Sequence, residues 1–104
     1  MTETEEFLGA VLSRQVQADT ALHNGDAEPR KALWSHNEPV TVLGAAKTVS
    51  GWSEVESVFD WLARNFSNGT YDCEVIAAGV SGDLAYLVGH ERSTASVAGG
   101  PPTP

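Results

Sequence analysis

Two long runs, Tyr71–Val80 and Leu84–Val97, are rich in β-branched, aromatic and small apolar residues, with Ser81-Gly82-Asp83 between them. That composition around a short polar segment predicts an antiparallel hairpin. A lone hairpin is marginal in water and needs further strands or a packed helix, so the rest of the chain has to cover one face of it. Charge indicates the register. With Ser81, Gly82 and Asp83 as the loop, Val80 faces Leu84, Ile76 faces Val88, Glu74 faces His90 and Asp72 faces Arg92, which sets opposite charges across the ladder. A shift of one residue sets Glu74 against Glu91 instead. A glycine in the middle of a three-residue loop, not at its end, is the unusual feature of this register.

The covering elements are legible as helices. Leu8, Val11, Ala18 and Leu22 recur at helical spacing between Glu3 and about Asn24, and Asn24-Gly25 stops that helix. A short second helix over Ala27–His36 follows, with Asp26 available as a cap, Pro29 in its first turn, and Leu33 and Trp34 on its buried side. Pro39–Gly44 reads as a short strand around Val40-Thr41-Val42. Trp52, Val55, Phe59, Leu62 and Phe66 share one face of the clearest helix, Ser50–Phe66, which Asn68-Gly69 ends; Asp60 and Arg64 lie four apart on its outer side. The expected class is therefore α+β in one domain, residues 1–98, with residues 99–104 a flexible tail or turn.

The 104 residues carry a formal net charge of −8 and a pI near 4.6, which opposes binding to phosphate backbones and anionic membranes. No nucleic-acid or membrane partner is expected. The acidic start, Met1–Glu6, lacks the basic and apolar regions of a signal peptide, so the expected location is the cytoplasm. The single cysteine, Cys73, reads as a small buried hydrophobe, with no basic neighbour to make its thiol reactive.

The stretches His23-Asn24-Gly25-Asp26, Leu33-Trp34-Ser35-His36, Pro39-Val40-Thr41-Val42-Leu43-Gly44 and Gly51-Trp52 with Val55 and Phe59 occur in order along the chain. They are followed by Ser81-Gly82-Asp83-Leu84-Ala85-Tyr86-Leu87-Val88-Gly89 with Glu91-Arg92. Together, over Phe7–Pro101, they resemble the SnoaL-like, DUF4440-type branch of the NTF2-like (ketosteroid-isomerase-like) family. The resemblance implies a cone in which N-terminal helices pack on a curved antiparallel sheet. It implies a C-terminally truncated cone, because such proteins continue into two more long strands and this chain stops at Pro104. Exposed edge strands, a homodimer and a small apolar ligand are further implications.

Cone enzymes of that kind set a carboxylate base and hydrogen-bond donors in an apolar pocket. Alternation along the hairpin puts Glu91 on the face of Tyr71, Cys73, Val75, Ala77, Gly79, Ala85, Leu87 and Gly89, which makes it the first candidate for general base or ligand acceptor. A solvated or paired carboxylate at a sheet edge is the competing account. His36, beside Trp34, is the candidate proton shuttle or donor, or else a histidine that favours a helix C-terminus, as His23 does. Gln15 and Asp19 on the inner stripe of the first helix, and Trp34, Trp52, Phe59 and Tyr71, are candidates for the pocket wall; plain core is the alternative for the aromatics. No ligand set for a metal is spaced along the sequence, and no phosphate loop or serine elbow is present, so neither metal nor cofactor is expected. The chemistry left is plain binding or cofactor-free isomerase, cyclase or hydrolase activity.

Overall fold

A computed structural model describes residues 2–44 and 47–103. It is α+β, with three helices, a two-stranded antiparallel sheet and a three-stranded antiparallel sheet among the described residues. Met1 and Pro104, the two ends of the acidic start and of the tail, lie outside the described residues.

Helix α1 spans Glu3–Leu22. Thr2 and Glu5 close its start as a capping box, in which Thr2 Oγ1 accepts from the Glu5 amide at 3.1 Å and the Glu5 carboxylate reaches back to the Thr2 amide. Helix α2 is Glu28–Leu33, shorter than its apolar pattern implied. It stops because Trp34 turns to extended backbone. Asp26 supports its entry by accepting from the Glu28 amide at 3.0 Å. Strands β1 (Thr41–Leu43) and β2 (Thr48–Ser50) pair with Val42 opposite Val49, both buried. β2 has no counterpart in the sequence reading.

Helix α3, Trp52–Asn65, begins at Gly51 and is capped from a distance by Glu38, whose Oε1 accepts from the Trp52 amide at 3.0 Å. Its buried side carries Val55 and Phe59, which with Leu22 of α1 are fully enclosed. Each contributes about 1.5–3 kcal/mol of burial, and together with Ala27, Val40, Val42 and Val49 they form the core. Asp60, expected to pair with Arg64, reaches Lys31 on α2 at 3.0 Å instead, where Glu28 also binds at 2.9 Å.

The long hairpin is β3 (Phe66–Ser81) and β4 (Leu84–Val97). Asp72 faces Arg92 and Glu74 faces His90, as charge indicates, but Ser81 faces Leu84 and Val80 faces Ala85. The loop is thus two residues, Gly82-Asp83, with Gly82 at φ +58 where a glycine is favoured. An extra residue, Ile76, is inserted between the Val75–Gly89 and Ala77–Val88 pairs and reconciles the two registers. It also corrects the expected inner face, because beyond the bulge alternation puts Ala78 and Val80 where Ala77 and Gly79 were expected. The close ion pair forms on the diagonal, Arg92 Nη2 to Glu74 Oε1 at 3.7 Å.

Asn68-Gly69 does not end α3. It lies within β3 at a second irregularity, with Asn68 at φ +52, and the Asn24 side chain exchanges two hydrogen bonds of 3.0 Å with the Gly69 backbone, tying the end of α1 to β3. The tail is not free throughout: β5, Pro102–Thr103, pairs with Ser96 and Ala95 of β4. No helix among the described residues is long and apolar enough to cross a membrane.

Candidate functional site

Helix α1 lies on β3 and α2 on α1, and a cavity of about 760 Å³ opens between these helices and the hairpin. Val11, Leu33, Trp34 and Leu87 supply apolar wall, and Gln15, Asp19, Arg30, Cys73 and Glu91 bring polar atoms to it. One face of α1 delivers Val11, Gln15 and Asp19 because their spacing of four residues stacks them along the helix.

Tyr71 stands behind this wall, buried, and joins two of its members. Its hydroxyl accepts from Gln15 Nε2 at 3.2 Å and donates to Glu91 Oε1 at 2.8 Å. Burial holds its phenol far above the ordinary value, opposed by the Gln15 hydrogen bond and reinforced by Glu91 and Asp19. Tyr71 is therefore a fixed neutral donor to the carboxylate.

Asp19 is 6 % exposed. Arg30 Nη1 lies 3.0 Å from its Oδ1, close enough for an ion pair but not aligned as a hydrogen bond, so Asp19 Oδ1 and Arg30 Nε have no hydrogen-bond partner among the described residues. Burial pushes the Asp19 carboxyl above its ordinary value, Arg30 pulls it back, and the charge of Glu91 adds to the rise. Arg30 is held by two aromatic faces, its guanidinium carbon 4.4 Å from the centre of the Phe59 ring and 5.4 Å from that of Trp34.

Of the residues singled out in the sequence, Gln15, Asp19, Trp34 and Glu91 meet at this cavity, and Tyr71 is bonded to two of them. Trp52 and Phe59 pack in and against the core, edge-on to one another at 6.4 Å. His36 is elsewhere: its ring stacks on Trp52 at 4.0 Å and its Nε2 contacts the Lys31 carbonyl at 2.7 Å. His23 contacts the Asp19 carbonyl through Nδ1 at 2.6 Å and stacks on Phe66. Arg30 was not singled out; its one sequence signal is the spacing of four to Trp34, which brings a cation to a ring on a helix. Glu91 is exposed despite lining the cavity. Among the described residues, no group of three or more His, Cys, Asp or Glu side chains is arranged to hold a metal ion.

No family model matches the chain, and no similar curated protein or solved structure was found.

Proposed function

We propose that this cavity binds a small, largely apolar molecule with one polar end, as a binding domain of the NTF2-like, SnoaL-like kind whose resemblance the sequence carries. The observation that supports the reading is the convergence of Gln15, Asp19 and Glu91, braced by Tyr71, on the wall of a cleft that Val11, Leu33, Trp34 and Leu87 otherwise line, large enough for a ligand of several rings. Asp19 Oδ1, ion-paired with Arg30 but accepting no hydrogen bond, gives a ligand hydroxyl a reason to enter, since a buried acceptor without a hydrogen bond is costly. Binding is favoured over catalysis because Glu91 stands exposed in an open cleft, not in the water-excluding pocket that cofactor-free general-base chemistry uses.

2-Naphthol tests the reading, with naphthalene as the control lacking the hydroxyl. The expected result is quenching of tryptophan fluorescence through Trp34, with 2-naphthol binding at least about tenfold more tightly than naphthalene and losing that margin in Glu91→Gln and Gln15→Leu. Equal binding of both probes, unchanged by either substitution, overturns it.

The Tyr71–Glu91 pair beside Asp19 favours a second reading, a cofactor-independent isomerase, cyclase or hydrolase with Glu91 as base. Isomerisation of a β,γ-unsaturated ketosteroid, followed by absorbance, is its test, and turnover lost in Glu91→Gln is the result it requires.

A further inference from the structure

The hydrogen bonds behind the cavity run in one direction. The Glu91 carboxylate can only accept, so the proton of the Tyr71 hydroxyl goes to its Oε1 at 2.8 Å. With that proton committed, the hydroxyl can only accept from Gln15, which fixes the Gln15 amide with Nε2 toward Tyr71 at 3.2 Å. Donors are thereby used inside the wall and acceptors are left over. Gln15 Oε1, Glu91 Oε2 and Asp19 Oδ1 take no hydrogen bond among the described residues. Their side chains line one cavity. They are also neighbours, because Tyr71 bridges Gln15 to Glu91 and Asp19 lies one helical turn beyond Gln15 on the same face of α1.

Little on the same wall can donate to a ligand. Arg30 is the one cation lining the cavity among the described residues. Asp19 holds its Nη1 at 3.0 Å, and the Phe59 and Trp34 rings lie 4.4 and 5.4 Å from its guanidinium carbon. Its Nε is buried without a partner, a single donor against three acceptor oxygens, and the Cys73 thiol is a weak donor. Charge follows the same pattern. Two carboxylates, Asp19 and Glu91, stand against one guanidinium, which leaves the cavity one negative charge uncompensated in a chain whose net charge is already −8.

We infer that the polar end of the ligand is a protonated primary amine, received by Glu91 together with the Gln15 and Asp19 oxygens, with Trp34 beside its apolar body. An ammonium group carries three donors and no acceptor, the complement of this wall. A hydroxyl brings one proton and two lone pairs, more acceptor than the wall can serve. A carboxylate brings no donor and a charge of the repelled sign. The inference rests on the binding reading above and narrows its polar end to a cation.

Titration calorimetry on the full chain, at pH 7 and low salt, tests it with three probes on one ring system. They are 2-(aminomethyl)naphthalene, 2-(hydroxymethyl)naphthalene, which exchanges the ammonium for a hydroxyl, and (2-naphthylmethyl)trimethylammonium, which keeps the charge but has no N–H to donate. The amine is expected to bind at least about tenfold more tightly than the alcohol and about fivefold more tightly than the trimethylated cation. In Glu91→Gln and in Gln15→Leu, with the circular dichroism spectrum retained, the amine is expected to lose most of its margin over the alcohol. An alcohol that binds as tightly as the amine overturns this inference and leaves the binding reading standing. A trimethylated cation that binds as tightly as the amine overturns it as well, since charge alone then suffices. Absence of binding by all three removes the binding reading and this inference with it. The comparison of probes is made on the unaltered chain, so a substitution that unfolds the protein does not remove the test.

Discussion

Tyr71 and Glu91 are joined on the diagonal of the hairpin. Tyr71 sits opposite Ser93 and Glu91 opposite Cys73, yet the Tyr71 hydroxyl reaches past its direct partner to donate to Glu91 Oε1 at 2.8 Å. Diagonal neighbours on one face of a twisted ladder lie within reach of a long aromatic side chain. Tyr71→Phe therefore leaves Gln15 Nε2 without its acceptor in a part-buried position. The expected cost is about 1–2 kcal/mol, read as a lower urea midpoint with an unchanged slope.

Asp19 gives a titration with predictable sign. Its carboxyl titrates above 3.8, chiefly because it is buried, so folding favours its protonated form. That contribution is fully present below the unfolded value and is lost as the pH rises through the folded one. The stability of the parent chain relative to Asp19→Asn is expected to fall as the pH is raised from 3.8 upward. Carboxyl NMR of Asp19 is expected to move down in Glu91→Gln, which removes a neighbouring negative charge, and up in Arg30→Met, which removes the cation 3.0 Å away.

Cys73 lines the cavity with its thiol pushed above the ordinary 9.0, first by burial and then by the charge of Glu91. Only the thiolate attacks an alkylating reagent. Iodoacetamide at pH 8 is expected to modify Cys73 more slowly than a free cysteine, and Glu91→Gln to narrow the difference.

Ala98 occupies the left-handed region at φ +52 while its amide donates to the Asn65 carbonyl at 2.7 Å. A side chain there costs about 1–2 kcal/mol, and glycine returns part of the gain through the entropy of the unfolded chain. Ala98→Gly is expected to raise stability by about 0.5 kcal/mol, read by thermal melting.

Helices α1 and α3 and the two hairpin strands were legible because each repeats an apolar pattern at its own period, and the pairing of Asp72 with Arg92 and Glu74 with His90 followed from charge alone. The bulge at Ile76 was not, since alternation carries no mark of where a residue will be skipped. Asn68-Gly69 has the composition of a helix stop, and tertiary packing used it within β3, where the Asn24 side chain holds the Gly69 backbone.

What the sequence by itself determined is local: helical stripes, strand alternation and the inward parity of Tyr71 and Glu91, which depends only on a period of two. The tertiary structure alone decided that Arg30 meets Asp19 across α1 and α2 and that His36 stacks on Trp52 away from the cavity. Those are contacts between elements distant in the chain, set by how the helices seat on the hairpin, and no periodicity encodes them.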